Sequence, residues 1–238
     1  MKKILSLFAL ILSVGTALQA DDLCVLRREF IKFGKKEAYE STCKDLMEGW
    51  AKFSAKKGVG TLSCFQGTDS SQYFYFYGVK DFKGLERRMK AQEDYIQGLP
   101  KEKLAPFQSM LNFITTQLQE ARPSCSYIPK DRQSWDMLPQ AHFYFWSLIP
   151  GAEQAFEAKL SELASEQAQS DHPVYFRCWR ILLGGDMPQY VVGVFAITEK
   201  ELNSAASSFA QSVTSVLSGE LRSQKDVGAV FRVDLSLR

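Results

Sequence analysis

The chain has 238 residues, 45% of them hydrophobic and 13% aromatic, enough for one large or two small domains with a substantial core. Its 29 Lys and Arg against 27 Asp and Glu exclude the strongly basic surface that nucleic-acid binding requires. Two histidines, and five cysteines of which none stands in a CxxC spacing, give no zinc-ligand pattern.

Lys2 and Lys3 precede an apolar run from Ile4 to Val14, then small residues at Gly15, Ala17 and Ala20 before Asp21 and Asp22. This is the pattern of a secretory signal peptide, with cleavage after Ala17 or Ala20 both compatible. The run is far shorter than the ~20 residues of a spanning helix, so the expectation is a periplasmic or secreted protein with no membrane association after cleavage. Removing residues 1 to 20 takes away two lysines and no acid, leaving 27 residues of each sign. Neither nucleic acid nor an anionic membrane is therefore expected as a partner. All five cysteines survive cleavage, four of them in the first half. In an oxidising compartment this predicts at least one disulfide within residues 21 to 130 and a buried thiol at Cys178.

Periodicity and punctuation then give the elements in order. Cys24 to Phe33 reads as a strand, Lys35 to about Lys57 as a helix, and Gly60 to Gln66 with Gln72 to Val79 as a hairpin. A second helix follows, on which Lys80, Lys83, Arg87, Arg88 and Lys90 read as a solvated face. It is interrupted at Gly98-Leu99-Pro100, and beyond it Phe107, Met110, Leu111, Ile114 and Leu118 keep helical spacing, predicting an inserted helical segment near 98 to 121. Ser124 to Ile128 is the predicted last strand of this part. A polar stretch bounded by prolines, at 130 to 140, separates it from strands at His142 to Ile149, Val174 to Leu183, Gln189 to Ala196 and Val227 to Leu235. Helices fill 151 to 169 and 199 to 221, the second opened by Thr198 and Glu201 at capping-box spacing.

The two halves repeat. A shift of 117 positions places Gly34 on Gly151, Ala38 on Ala155, Tyr39 on Phe156, Glu40 on Glu157, Tyr73 on Tyr190 and Leu85 on Leu202, and a shift of 114 places Cys64 on Cys178. The chain is thus a duplication: a first unit at 21 to 129, a linker at 130 to 140 and a second unit at 141 to 238. Each has the order βαββαβ, which makes the fold class α+β with two ferredoxin-like units in tandem. One such sheet leaves a face bare and two edges unpaired, a problem solved by bringing two sheets together. Through the turns Phe33-Gly34-Lys35-Lys36-Glu37-Ala38-Tyr39-Glu40 and Pro150-Gly151-Ala152-Glu153-Gln154-Ala155-Phe156-Glu157, the sequence resembles a tandem member of the dimeric α/β-barrel superfamily. That superfamily includes antibiotic-biosynthesis monooxygenase-like and chlorite-dismutase-like proteins. The resemblance implies a pseudo-dimeric barrel that folds as a monomer, and it says little about function.

Two local motifs carry no chemistry. Gly58 to Ser63 leads from helix into strand, the reverse of a phosphate loop, and Ser41 to Lys44 has SxxK spacing without its companion motifs. The resemblance implies haem as the cofactor to consider, and haem ligation requires a histidine facing the sheet. His142 begins a strand and His172 sits in an Asp-His-Pro turn, so the residues themselves predict no cofactor; His172 alone approximates the proximal position of chlorite-dismutase-like proteins.

The strand QYFYFYG separates Tyr73, Tyr75 and Tyr77 from Phe74 and Phe76 by alternation. Carrying that parity along the chain assigns Arg27, Glu29, Tyr144, Trp146, Tyr175, Arg177, Trp179, Tyr190, Arg232 and Asp234 to the tyrosine face. Leu26, Phe143, Phe145, Cys64, Cys178 and Phe176 fall on the apolar one. The candidate ligand-binding residues are Arg27, Glu29, Tyr73, Tyr75, Tyr144, Trp146, Arg177 and Trp179, for a small planar ligand held by stacking and by arginine. The alternative use of the same face is packing. Three functions are expected in order: an exported non-catalytic binding module, a monooxygenase-like or haem-dependent enzyme, and an envelope interaction protein using the inserted helix.

Overall fold

The structure, a computed structural model, describes residues 23–59, 62–68, 71–129 and 137–237. The signal peptide read at residues 1 to 20, and the greater part of the linker at 130 to 140, lie outside these residues. The first unit comprises β1 (Leu23–Ile31), α1 (Lys36–Lys57), β2 (Ser63–Gly67), β3 (Gln72–Val79), α2 (Phe82–Gln97), α3 (Lys101–Met110) and β4 (Leu111–Ala121). The second comprises β5 (Gln140–Leu148), α4 (Glu153–Gln167), β6 (Tyr175–Leu183), β7 (Gln189–Ala196), α5 (Glu199–Leu217) and β8 (Leu221–Phe231).

The eight strands close into one barrel in the order β1-β3-β2-β8-β5-β7-β6-β4. The seams between units are the antiparallel pairs β2 with β8, where Phe65 faces Phe231, and β4 with β6, where Leu118 faces Leu183. Closure removes the four edges that two separate sheets would expose. The helices lie outside, entered through turns whose glycine has positive φ in both units, 72° at Gly34 and 96° at Gly151. Only glycine takes that conformation without strain, which is why the turn recurs in the repeat. Asp81 caps α2 by accepting from the Gly84 amide at 2.6 Å, and Thr198 with Glu201 forms the expected capping box on α5.

Three expectations are corrected. The inserted helix stops at Met110, and residues 111 to 121 are β4, paired along its length with β1. The strand predicted at Ser124 to Ile128 is instead a 3-10 turn at Pro123–Cys125 followed by a single bridge from Tyr127 to Phe176. The second unit repeats the pattern: β8 ends at Phe231, and Val233–Leu235 is a 3-10 turn.

Face assignment changes as well. Register places Cys64 beside Tyr75 and Cys178 beside Val192, so both cysteines lie under the helices, as does Phe176. Trp179 packs inside the barrel with Phe76, Phe143 and Phe195, and Arg177 and Tyr175 share its parity. A one-residue error in parity transfers a whole strand to the other face. All five cysteines are free thiols, so the disulfide expected within residues 21 to 130 is not formed. Cys24 flanks the barrel interior, Cys43 and Cys64 lie beneath the first unit's helices, and Cys125 joins the second unit's core. Cys178 is buried as expected, at 1% exposure.

Candidate functional site

Each sheet carries its helices on its outer face, and the two resulting layers differ. The second is filled: Trp146, Phe156 and Phe209 interlock, Trp146 lying edge-on to Phe156 at 5.6 Å and stacked on Phe209 at 6.2 Å. The first leaves a partly open cavity of about 140 Å³. The duplication explains the contrast. Trp146 has Glu29 as its counterpart, Phe209 has Gln92, and Tyr144 has Arg27, so three bulky apolar or aromatic groups of one unit are polar in the other.

Alternation along β1 sends Arg27 and Glu29 to the cavity side, facing Tyr75 and Tyr73 across the β1 and β3 pair. Tyr77 adds to the floor, Cys43, Met47 and Trp50 of α1 form one wall, and Arg88 and Tyr95 of α2 another. Leu104 and Phe107 of α3 close the remaining side. The second unit has no counterpart of α3, because α5 is followed directly by β8. Tyr95 crosses between helices to donate to the Leu46 carbonyl at 2.8 Å, passing over Gly49, where a Cβ would collide with its hydroxyl.

A connected polar group forms the inner end of the cavity. Glu29, 3% exposed, pairs with Arg27 at 2.5 Å and accepts a hydrogen bond from the Tyr39 hydroxyl. The Tyr39 and Tyr75 hydroxyls lie 2.8 Å apart, and Tyr75 donates to Cys43 Sγ at 3.8 Å. Burial, reinforced by Tyr75 and Glu29, raises Tyr39 well above the ordinary phenol range, and burial does the same for Tyr75. The Cys43 thiol is pushed up to about 12, chiefly by burial. These groups are therefore neutral hydrogen-bonding groups at physiological pH rather than nucleophiles. Burial disfavours the Arg27 charge, but the adjacent Glu29 carboxylate outweighs it and holds the guanidinium charged. Arg27 Nε has no partner, and Arg88 lies 4.1 Å above the Tyr77 ring. Two guanidinium groups thus face the cavity against one carboxylate.

Of the eight residues singled out from sequence, Arg27, Glu29 and Tyr75 come together here. Tyr73 lies on the same face but donates to Glu40 at 2.5 Å, outside the cavity lining. Tyr144 and Trp146 belong to the filled layer, and Arg177 and Trp179 turn into the barrel. Sequence reasoning missed Tyr39, Cys43, Trp50, Arg88 and Tyr95. Tyr39, Cys43, Met47 and Trp50 follow helical spacing, a signal legible beforehand. Arg88, placed on a solvated face, is 4% exposed and packs against Tyr77, a correction to that reading.

Haem does not fit these residues. The first layer's cavity has no histidine in its wall, and its phenols and thiol are held protonated by burial. His142 bonds Asp226 at 2.8 Å. His172 is exposed, on a groove whose wall mixes Pro173, Val174, Tyr175, Phe195 and Ile197 with Asp171, Lys200 and Glu201, and so is not the uniformly apolar slot that a porphyrin needs. Among the described residues no cluster of three or more metal-ligating side chains occurs.

Neither a family model nor a curated protein matches the chain. Solved structures do. An anthrone oxidase-like protein aligns over 89% of this chain and 92% of its own, with 14% identity and a TM-score of 0.62. A Fusobacterium nucleatum protein provisionally named a monooxygenase aligns over 90% and 94%, with 9% identity and a TM-score of 0.62. A heme-binding protein from Thermus thermophilus aligns over 90% and 92%, with 13% identity and a TM-score of 0.51. Chlorite dismutases share the architecture too. At these identities the likeness establishes fold and not activity. The fold is that of the dimeric α/β barrel, with both ferredoxin-like units carried by one chain.

Proposed function

We propose that this is an exported small-molecule-binding protein, and that its first unit holds a compact single-ring aromatic molecule bearing an acceptor oxygen. The observation that carries the reading is the contrast between layers, one closed by Trp146 and Phe209 and the other left hollow by Glu29 and Gln92. A cavity of about 150 Å³ in another protein accommodates benzene, which matches the size here. Trp50, Tyr77 and Tyr95 supply aromatic contact, the unpartnered Arg27 Nε a donor, and the first unit's additional helix α3 a cover. Export rests on residues 1 to 20 and predicts a mature N-terminus near Asp21. Titration with phenol, anisole and benzaldehyde, read by Trp50 fluorescence and thermal shift, tests the site. Quenching that disappears in Trp50→Phe and weakens in Arg27→Gln supports it; no response to any of the three removes it.

A second reading is favoured by the position of Glu29, a buried carboxylate in the cavity wall. A carboxylate beside the cavity could take the proton of a bound phenol, which suits the monooxygenase and anthrone oxidase-like names of similar structures. Oxygen consumption on adding phenols, abolished in Glu29→Gln, would distinguish an enzyme from a carrier.

A further inference from the structure

Barrel closure covers each strand edge only as far as the neighbouring strand runs. β6 pairs with β4 from Ala121 back to Leu118, and the turn that follows β6 then lies against β4, with Gly184 so near the Thr116 carbonyl that a Cβ there would collide with it. From Leu111 to Thr115, β4 is paired with β1 on one side and, among the described residues, with no strand or loop backbone on the other. β8 has the same overhang in the second unit. β2 pairs with it at Ala229 to Phe231 and the Thr68 amide bonds the Gly228 carbonyl, whereas Leu221 to Val227 run beside β5 alone.

The two overhangs differ in kind. Matching registers, with Phe30 facing Phe113 and Ser147 facing Ser223, make Asn112 the counterpart of Arg222, Phe113 of Ser223, Ile114 of Gln224 and Thr115 of Lys225. The β8 edge therefore carries Arg222, Lys225 and Asp226, with Arg222 paired to Asp186 and Asp226 bonded to His142. Charges on an edge strand keep it from pairing with another chain. From Leu111 to Gln119, β4 carries none. Phe113 is 53% exposed, yet its ring is held by stacking on Phe30 at 4.0 Å, and Ile114 is 41% exposed on the opposite face. Phe33, fully exposed, follows Lys32, whose amide bonds the Met110 carbonyl at the start of β4. A free, uncharged strand edge beside a fixed aromatic ring is a template for a further strand.

We propose that Leu111–Thr115 is a dimerisation edge, which pairs antiparallel with the same residues of a second copy of this chain across a two-fold axis. Two features select a second copy over a strand of another protein. The edge continues the seam of β4 with β6 that already joins the two units, so the strand that closes one barrel runs on into a sheet with the next. Pairing about a two-fold axis also sets a strand against itself, which suits an uncharged segment because no register opposes like charges. With Phe113 at the axis its ring meets its own copy, Asn112 faces Ile114 and Leu111 faces Thr115. So short an edge gives a weak dimer, populated by concentration and not required for folding. None of these residues lines the first unit's cavity, so dimerisation and phenol binding can be lost separately.

The test is sedimentation velocity of the mature chain from roughly 5 to 500 µM, beside amide hydrogen exchange of the peptide containing residues 111 to 115. A monomer passing to a dimer, with exchange at that peptide slowing as the dimer forms, is expected. Asn112→Arg combined with Phe113→Ser gives β4 the residues that β8 carries at the same places. It should weaken dimerisation at least tenfold while a cooperative thermal melt shows the variant folded. If that pair does not fold, Ile114→Lys is read instead, with the same loss expected, and Arg222→Ser should leave dimerisation unchanged. A monomer throughout the range, a dimer undiminished in the β4 variants, or exchange at residues 111 to 115 that ignores concentration overturns the proposal. Growth past the dimer, as a head-to-tail contact of β4 with β8 would produce, overturns it as well.

Discussion

Arg232, just beyond the last strand of the second unit, reaches Glu40 on the first helix of the first unit, each terminal nitrogen 2.8 Å from a carboxylate oxygen. Arg122 makes the reciprocal reach from the first unit to Glu157 of the second, and the two carboxylates also accept from Tyr73 and Tyr190 respectively. Ser236 and Ser126 complete the repeat, each accepting from a buried cysteine's amide, Cys64 or Cys178, at 2.9 Å. Each unit therefore closes the other, and a single unit lacks the segment that covers its own sheet seam.

The clasp predicts acid sensitivity. Hydrogen bonds from Arg232 hold Glu40 below its ordinary value, and Asp234 is held well below the usual carboxylate range by Arg232 and then Lys44. A depressed folded-state pKa means that this stabilisation is fully present above the unfolded value near 4 and is lost as pH falls through the folded one. Arg232→Ala should cost about 1–3 kcal/mol at pH 7, since the pair is only partly buried. The difference between wild type and variant should shrink on acidification below pH 4. Urea denaturation at pH 7 and pH 3 measures both, and a difference that stays constant or grows on acidification contradicts the assignment.

The thiols should be slow. Burial pushes Cys24 up to about 12 and raises Cys64 and Cys178 well above their ordinary values. Cys24 is the only one of the five that is not fully buried. Alkylation of native protein at pH 8 should modify Cys24 first and slowly, with the other four reacting only on unfolding. Rapid native labelling of Cys178, or a mapped disulfide within residues 21 to 130, would contradict the packing described.

Gly49 should be irreplaceable in a way that Gly78 is not. A Cβ at position 49 would overlap the Tyr95 hydroxyl, whereas one at position 78 meets nothing within 4 Å. Gly49→Ala should destabilise by about 1–3 kcal/mol through overpacking and loss of the Tyr95 to Leu46 hydrogen bond, and Gly78→Ala should be close to neutral. Thermal melts of both, beside Tyr95→Phe, separate the steric from the hydrogen-bonding part.

Much of the architecture was legible in local pattern. β3 runs from Gln72 to Val79 as its alternation indicated, and both strand-to-helix turns carry the glycine that the repeat singled out. β4 was misread because Met110, Ile114 and Leu118 are four apart, an even spacing that satisfies one helix face and one strand face alike; pairing with β1 decides. The face of β6 was misassigned because RCWRILL has no alternation of its own and takes its register from β7. The cavity depends on which helix lies over which strand, a tertiary relation. Once that relation is known, Glu29 against Trp146 shows in the aligned repeat why one layer is hollow.

That same comparison supplies the most direct test of the cavity. Gln92 lines it on α2, and the equivalent position on α5 is Phe209, which fills the second layer against Trp146 and Tyr144. The caps fix the equivalence, because Asp81 and Thr198 open the two helices at matching positions. Gln92→Phe should therefore place a ring in space that the other unit already packs with one, replacing a polar side chain by apolar contact at little strain. The expected outcome is a melting temperature equal to or above wild type together with phenol affinity reduced tenfold or more. An exposed, unfilled position would give neither effect, and a lowered melting temperature with phenol affinity intact would show that binding occurs elsewhere than between Arg27 and Trp50.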